Sequence, residues 1–164
     1  MIVKQRIGID IDGCIAYMLE GIRQEAHHRF GINFKLEDVK EFSLIQQGMT
    51  RKQIVDIIED NSFIIDLPEI YYAFPALQEL SSDFEIHLVS ARSEKVAWAT
   101  EQWLALKKFT NIYDALKVGQ DCKYDYCKNN NIKIFVEDRY RNALKLAEIC
   151  DTVYLINKTY NLVR

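Results

Sequence analysis

Two aspartates alternate with isoleucines at the close of an apolar run, Arg6-Ile7-Gly8-Ile9-Asp10-Ile11-Asp12, and Gly13 ends the pattern. An apolar run closed by glycine reads as a buried strand that stops abruptly. A buried carboxylate without a partner is costly, so Asp10 and Asp12 need a reason to sit there. A divalent cation held at the carboxyl edge of a parallel sheet would supply one. The plain alternative is a strand that ends in solvent with two surface acids.

Three more groups fall where ligands bind in an open parallel sheet, beyond the carboxyl ends of its strands. Ser90 follows the apolar run Phe84–Val89, Lys123 opens a short helix, and Glu137–Asp138 closes the run Ile132–Val136. Each alone has an ordinary explanation: a serine caps the next helix, a lysine is solvated, and an acid pair satisfies a helix dipole. Their joint occurrence, in order and at strand ends, is what those explanations leave out.

The elements that must position these groups follow from periodicity. After the first strand, apolar residues at helical spacing predict helices over Tyr17–Phe30, stopped by Gly31, and over Thr50–Asp60, where Thr50 and Gln53 form a capping box. Leu67–Pro68 breaks the pattern, and Tyr72–Leu80 reads as a further helix. The remainder alternates. Strands are expected at 84–89, 114–118, 132–136 and 152–156. Helices are expected at 93–107 (with Val96, Ala99, Trp103 and Leu106 inward), 124–129 and 142–150. Strands alternating with helices imply a parallel sheet with right-handed crossovers. The expectation is a three-layer α/β domain with a helical insert after strand one.

A chain of 164 residues with 49% hydrophobic content, 6 glycines and 2 prolines supports one domain with a real core. A formal net charge of −3 disfavours duplex nucleic acid as a partner, and leaves room for a small phosphorylated substrate whose charge a metal and a few cations neutralise. No apolar run is long enough to span a bilayer. The strand starts so near Met1 that no leader is expected. Cys14, Cys122, Cys127 and Cys150 lack paired metal-ligand spacing and read as reduced thiols of a cytoplasmic protein.

In this order the residues resemble the haloacid dehalogenase-like phosphohydrolases. Asp10-Ile11-Asp12-Gly13 is similar to that family's first motif, His87-Leu88-Val89-Ser90-Ala91-Arg92 to its second, Lys123 to its third, and Val136-Glu137-Asp138 to its fourth. An insert between the first and second motifs marks the type with a small helical cap there. The phrases Asp10–Ala16 and Ser62–Pro68 resemble the 5′(3′)-deoxyribonucleotidase family, with Cys14 where that family carries Thr or Val.

The resemblance implies a Rossmann-like three-layer parallel sheet formed by residues 1–15 and 81–164, with a cap at 16–80. It also implies a Mg2+-dependent phosphatase. Asp10 would be the nucleophile and Asp12 the general acid and base. Ser90 with the backbone of Ala91 and Arg92 would hold phosphoryl oxygens, and Lys123 would neutralise charge. The metal would be held by Asp10, the Asp12 carbonyl and Asp138, with Glu137 exchangeable for Asp138. Arg92 is a phosphate ligand or the partner of an acid elsewhere. Tyr17, Phe42, Phe63 and Tyr71 are candidates to stack on a base, with core packing as their ordinary role. Cys14 has no neighbouring histidine to activate it.

The substrate expected on this resemblance is a nucleoside monophosphate. A sugar phosphate or another small phosphomonoester keeps the chemistry, and a non-catalytic nucleotide-binding module abandons it. A receiver module is disfavoured because only the first and fourth strands end in aspartate.

Overall fold

A computed structural model describes residues 4–40, 43–119 and 123–161. Five strands form one parallel sheet: β1 (Gln5–Ile9), β2 (Phe84–Ser90), β3 (Ala115–Val118), β4 (Ile134–Glu137) and β5 (Thr152–Leu155), in the order β3-β2-β1-β4-β5. The chain is thus an α/β protein with β1 central, and the strand order reverses beside it. That reversal opens the crevice in which such sheets bind ligands.

Alternation along β1 explains the two faces. Ile7 and Ile9 enter one buried cluster with Ile86 and Leu88 of β2. Gly8 faces the other way, and a Cβ there would lie 2.3 Å from the Phe135 ring. Phe135 therefore lies across the central strand because Gly8 has no side chain, and it centres a second cluster with Val89, Cys127 and Leu146. The helices α5 (Ala97–Leu106), α6 (Lys123–Asn129) and α7 (Tyr140–Leu146) alternate with the later strands. Trp103 of α5 belongs to the first cluster, while Cys127 of α6 and Leu146 of α7 belong to the second.

Between β1 and β2 stand α1 (Met18–Phe30), α2 (Arg51–Ile58), α3 (Asn61–Asp66) and α4 (Ala73–Asp83). Gly31 ends α1 in the left-handed conformation with φ of 67°, and Thr50 and Gln53 cap α2 reciprocally as their spacing predicts. The short helix α3, which periodicity does not indicate, follows α2 and ends just before the expected break at Leu67–Pro68. Asp60 accepts hydrogen bonds from Ser62 N and Phe63 N at 2.8 and 3.4 Å and so starts a helix there. Chain entering and leaving α1–α3 is pinned together: Tyr17 N donates to Pro68 O at 2.9 Å and Ile70 N to Ile15 O at 2.8 Å. Ile22, Ile57, Ile64 and Leu67 of this segment share the sheet's first cluster, and Trp103 Nε1 donates to Leu67 O at 2.7 Å.

Two expectations shift. Leu106 is 64% exposed rather than inward. A 3-10 turn over Glu94–Val96 precedes α5, the buried stripe runs Val96, Ala99, Thr100, Trp103, Leu104, and Phe109 stacks on Trp103 with ring centroids 5.8 Å apart. Phe109 thus covers the end of the helix. The last helix begins at Tyr140, earlier than periodicity indicates, because Glu137 Oε1 accepts Asp138 N and Arg139 N, each at 3.0 Å, and organises its start. Among the described residues no helix is long and apolar enough to cross a membrane.

Candidate active site

Asp10 follows β1 directly, and its N–H still pairs with Val136 O at 3.0 Å, so the sheet ladder fixes its backbone. Its side chain is buried. Oδ1 accepts Ile11 N at 2.7 Å, and Oδ2 pairs with Lys123 Nζ at 2.6 Å. The following loop is tight: Ile15 N and Ala16 N both donate to Ile11 O, at 2.8 and 2.9 Å. Gly13 adopts φ of 81° in that loop, and a Cβ there would fall 2.0 Å from Asp138 Oδ2. Both the conformation and the space demand glycine.

Lys123 Nζ also pairs with Glu137 Oε2 at 2.7 Å. Asp10, Glu137 and Asp138 thus bring buried carboxylate oxygens within 4.8 Å of one another. Burial pushes the Asp10 carboxyl well above its usual range; Lys123 opposes this, and the neighbouring acids add to it. Burial acts the same way on Glu137, but Lys123 and hydrogen bonds outweigh it and hold Glu137 low. Asp138 is pushed up to about 7 by burial and by Glu137 beside it. Burial disfavours charge on Lys123, yet Asp10 and Glu137 overcome this and raise its pKa. The lysine is the cation that holds the cluster together.

The triad fits a hard divalent cation. Its donors are all carboxylate oxygens, Lys123 pairs with only Asp10 and Glu137 of the three acids, and Asp138 Oδ1 is buried with no hydrogen-bond partner. A buried, unpaired carboxylate oxygen calls for a specific explanation, and a bound cation provides one. Both oxygens of Glu137 are occupied, by Lys123 and by two backbone N–H groups. That distinguishes it from Asp138.

Asp12 turns away from this cluster. Arg92 Nε lies 3.1 and 3.0 Å from its two oxygens, and Nη2 lies 2.6 Å from Oδ1. The pairing of Arg92 with an acid, one of the two readings open in sequence, is the one observed. Arg92 is itself held by Thr100 Oγ1 at 3.0 Å and by the Trp103 ring, 5.8 Å from its guanidinium carbon. Its backbone N–H donates to Ser90 Oγ at 3.2 Å. Cys14 is buried, and burial together with Asp10 pushes its thiol upward, so it stays protonated.

A cavity of about 750 Å³ opens over Asp12, Ala91, Arg92 and Ser93. Met18, Ile22 and Ile54 of the helical segment supply an apolar wall, while Lys40, Arg139 and Arg141 supply positive charge. The described aromatic candidates stand elsewhere. Phe63 is packed under Gly21, Tyr17 lies beneath Lys158 at 5.9 Å, and exposed Tyr71 leans on Tyr72. Phe42 lies outside the described residues.

Sequence reasoning also misses Tyr160. This buried phenol in the C-terminal segment donates a hydrogen bond to Asp138 Oδ2, and nothing in its spacing from the motifs marks it.

No family model matches the chain. It is 28% identical over 161 residues to "Putative nucleotidase YqfW" of Bacillus subtilis, covering 95% of this chain and 82% of that one. A haloacid dehalogenase-like family hydrolase from Streptococcus pneumoniae superposes with a TM-score of 0.65 at 12% identity, covering 92% of this chain and 84% of that one. A haloacid dehalogenase family enzyme from Bacteroides thetaiotaomicron, solved with magnesium and inorganic phosphate, gives 0.56 at 12% identity, covering 95% and 96%. In sheet order and in the placing of the acids at its strand ends, this chain has the haloacid dehalogenase-like fold.

Proposed function

We propose that this protein is a Mg2+-dependent phosphomonoester hydrolase that works through an aspartyl-phosphate. The observation that carries the reading is the buried set Asp10, Glu137 and Asp138 at the carboxyl ends of β1 and β4, with Lys123 of α6 paired to the first two and one carboxylate oxygen of Asp138 unpaired. Asp10, the Asp12 carbonyl and Asp138 would hold the cation. When bound, it offsets the repulsion between an anionic nucleophile and an anionic substrate.

A carboxylate oxygen of Asp10 attacks phosphorus, a P–O bond forms, and the ester P–O bond breaks. Asp12, released from Arg92 and protonated from solvent, gives that proton to the departing alkoxide. It then takes a proton from the water that attacks the aspartyl-phosphate, releasing inorganic phosphate and restoring Asp10. This requires Asp12 to exchange Arg92 for the substrate oxygen. Ser90 and the backbone of Ala91 and Arg92 orient phosphoryl oxygens. Lys123 offsets negative charge at Asp10 and the phosphoryl group.

The segment 16–80 acts as a cap on a core of residues 1–15 and 81–164, and the pairing of 15–17 with 68–70 supports a hinge there. The substrate is a nucleoside monophosphate, a reading supported by the nucleotidase designation of the Bacillus subtilis relative. The absence of the described aromatic candidates from the cleft lining favours a second reading, a sugar phosphate or another small phosphomonoester. The described cysteines Cys14, Cys127 and Cys150 are buried, which suits reduced thiols in a cytoplasm.

The test is phosphate release from nucleoside 5′- and 3′-monophosphates and sugar phosphates, with Mg2+, with EDTA, and with Asp10→Asn as the blank. Mg2+-dependent turnover centred on nucleotides supports the whole reading. Turnover on sugar phosphates replaces the substrate, and tight nucleotide binding without turnover leaves a binding module.

A further inference from the structure

We infer that Tyr160 is a positioning residue for the metal site, orienting the Asp138 carboxylate so that Oδ1 faces the cation. The inference rests on the reading of Asp138 as a metal ligand. The Asp138 side chain sits in the space left by Gly13 on one side. On the other its Oδ2 accepts the Tyr160 hydroxyl, while Oδ1 has no partner. The last torsion of an aspartate is intrinsically broad, so a hydrogen bond to one named oxygen decides which oxygen is offered. Hydrogen bonds to ligating carboxylates do this generally, and losing one weakens metal affinity about 10–100-fold.

The hydroxyl is itself fixed by the turn Thr159–Asn161. Asn161 Nδ2 donates to Ile156 O at 2.8 Å, and Asn161 N to Lys158 O at 3.0 Å. Thr159 Oγ1 donates to Leu36 O at 3.2 Å. The same turn therefore touches the helical segment and a carboxylate of the site. Metal affinity depends on a residue 22 positions beyond Asp138, after the last strand.

The experiment titrates the 164-residue chain with Mn2+, followed by electron paramagnetic resonance of the free ion. Wild type, Tyr160→Phe, Thr159→Val and Asp138→Asn are compared, each checked for folding by circular dichroism. The expected result is Mn2+ binding weakened about 10-fold or more in Tyr160→Phe, unchanged in Thr159→Val, and lost in Asp138→Asn. Tyr160→Phe binding like wild type while Asp138→Asn does not would overturn the role of Tyr160 and leave the metal reading standing. Equal weakening in Thr159→Val would assign the effect to the turn rather than the phenol. Undiminished binding by Asp138→Asn would remove the metal reading and this inference together.

Discussion

Arg92 grips Asp12 as a fork, with Nη2 on Oδ1 at 2.6 Å and Nε within 3.1 Å of both oxygens. The guanidinium is nearly buried while the carboxylate is 21% exposed at the cavity floor. Such a pairing orients the acid while leaving it within reach of substrate. Asp12→Asn is expected to lower kcat by about 10²–10⁴-fold. The loss should be smaller for an aryl phosphate, whose leaving group needs no proton, than for an alkyl phosphate. Steady-state kinetics on the two esters checks this, and equal losses would remove Asp12 from the acid role. Arg92→Lys, which cannot reproduce the fork, should lower kcat more than it raises KM.

Among the described residues, Lys123 is the cation that pairs with both Asp10 and Glu137. Lys123→Met leaves two buried carboxylates without it, and breaking a buried pair costs about 3–5 kcal/mol. The melting temperature in EDTA should fall markedly, and Mg2+ should restore part of it by supplying positive charge. Thermal melts with and without the metal decide the matter; a variant as stable as wild type in EDTA would mean the lysine carries no such load.

Asp138 gives a pH dependence of definite sign. In the folded, metal-free protein it titrates near 7, raised by burial and Glu137, against about 3.9 for an unfolded aspartate. Between these values the folded state holds a proton that the unfolded state has released, so this group makes stability fall as pH rises from about 4 to about 7. Asp138→Asn should therefore melt higher than wild type in EDTA at pH 8, with the gain shrinking toward pH 4. A variant no more stable than wild type at pH 8 contradicts the raised titration.

Gly13→Ala meets both a left-handed φ of 81° and Asp138 Oδ2 at 2.0 Å. Strain of this kind costs of order 1–3 kcal/mol, and the carboxylate must move. The expected outcome is a lower melting temperature together with loss of Mn2+ binding. A folded variant with intact metal affinity would show that the loop relaxes around the methyl group.

Much of the site is legible in the sequence because it is written locally. Asp10, Ser90 and Glu137–Asp138 each follow an apolar run, and a parallel sheet places all such ends on one edge. Lys123 follows by position in the same alternation. The α5 stripe was readable as far as Trp103 but not at Leu106, because the packing of Phe109 against Trp103 depends on how the chain returns after the helix. Base-stacking candidates are hard to read for a similar reason: aromatic identity does not say whether a ring faces a cleft or a core, and Phe63 faces the core.

The sequence by itself determined the α/β alternation, the helical segment after strand one, and the residues offered at the strand ends, since these depend on periodicity and on residues close along the chain. Tertiary structure alone decided which acid meets which base. Arg92 could have turned to a phosphate, but 80 positions separate it from Asp12 and only the adjacency of β1 and β2 brings them together. Glu137 and Asp138 are neighbours with opposite fates: Lys123 and the backbone occupy both oxygens of one, while Tyr160 leaves one oxygen of the other unpaired. Such choices are made by contacts between remote segments, where sequence pattern carries no phase and only packing selects a partner.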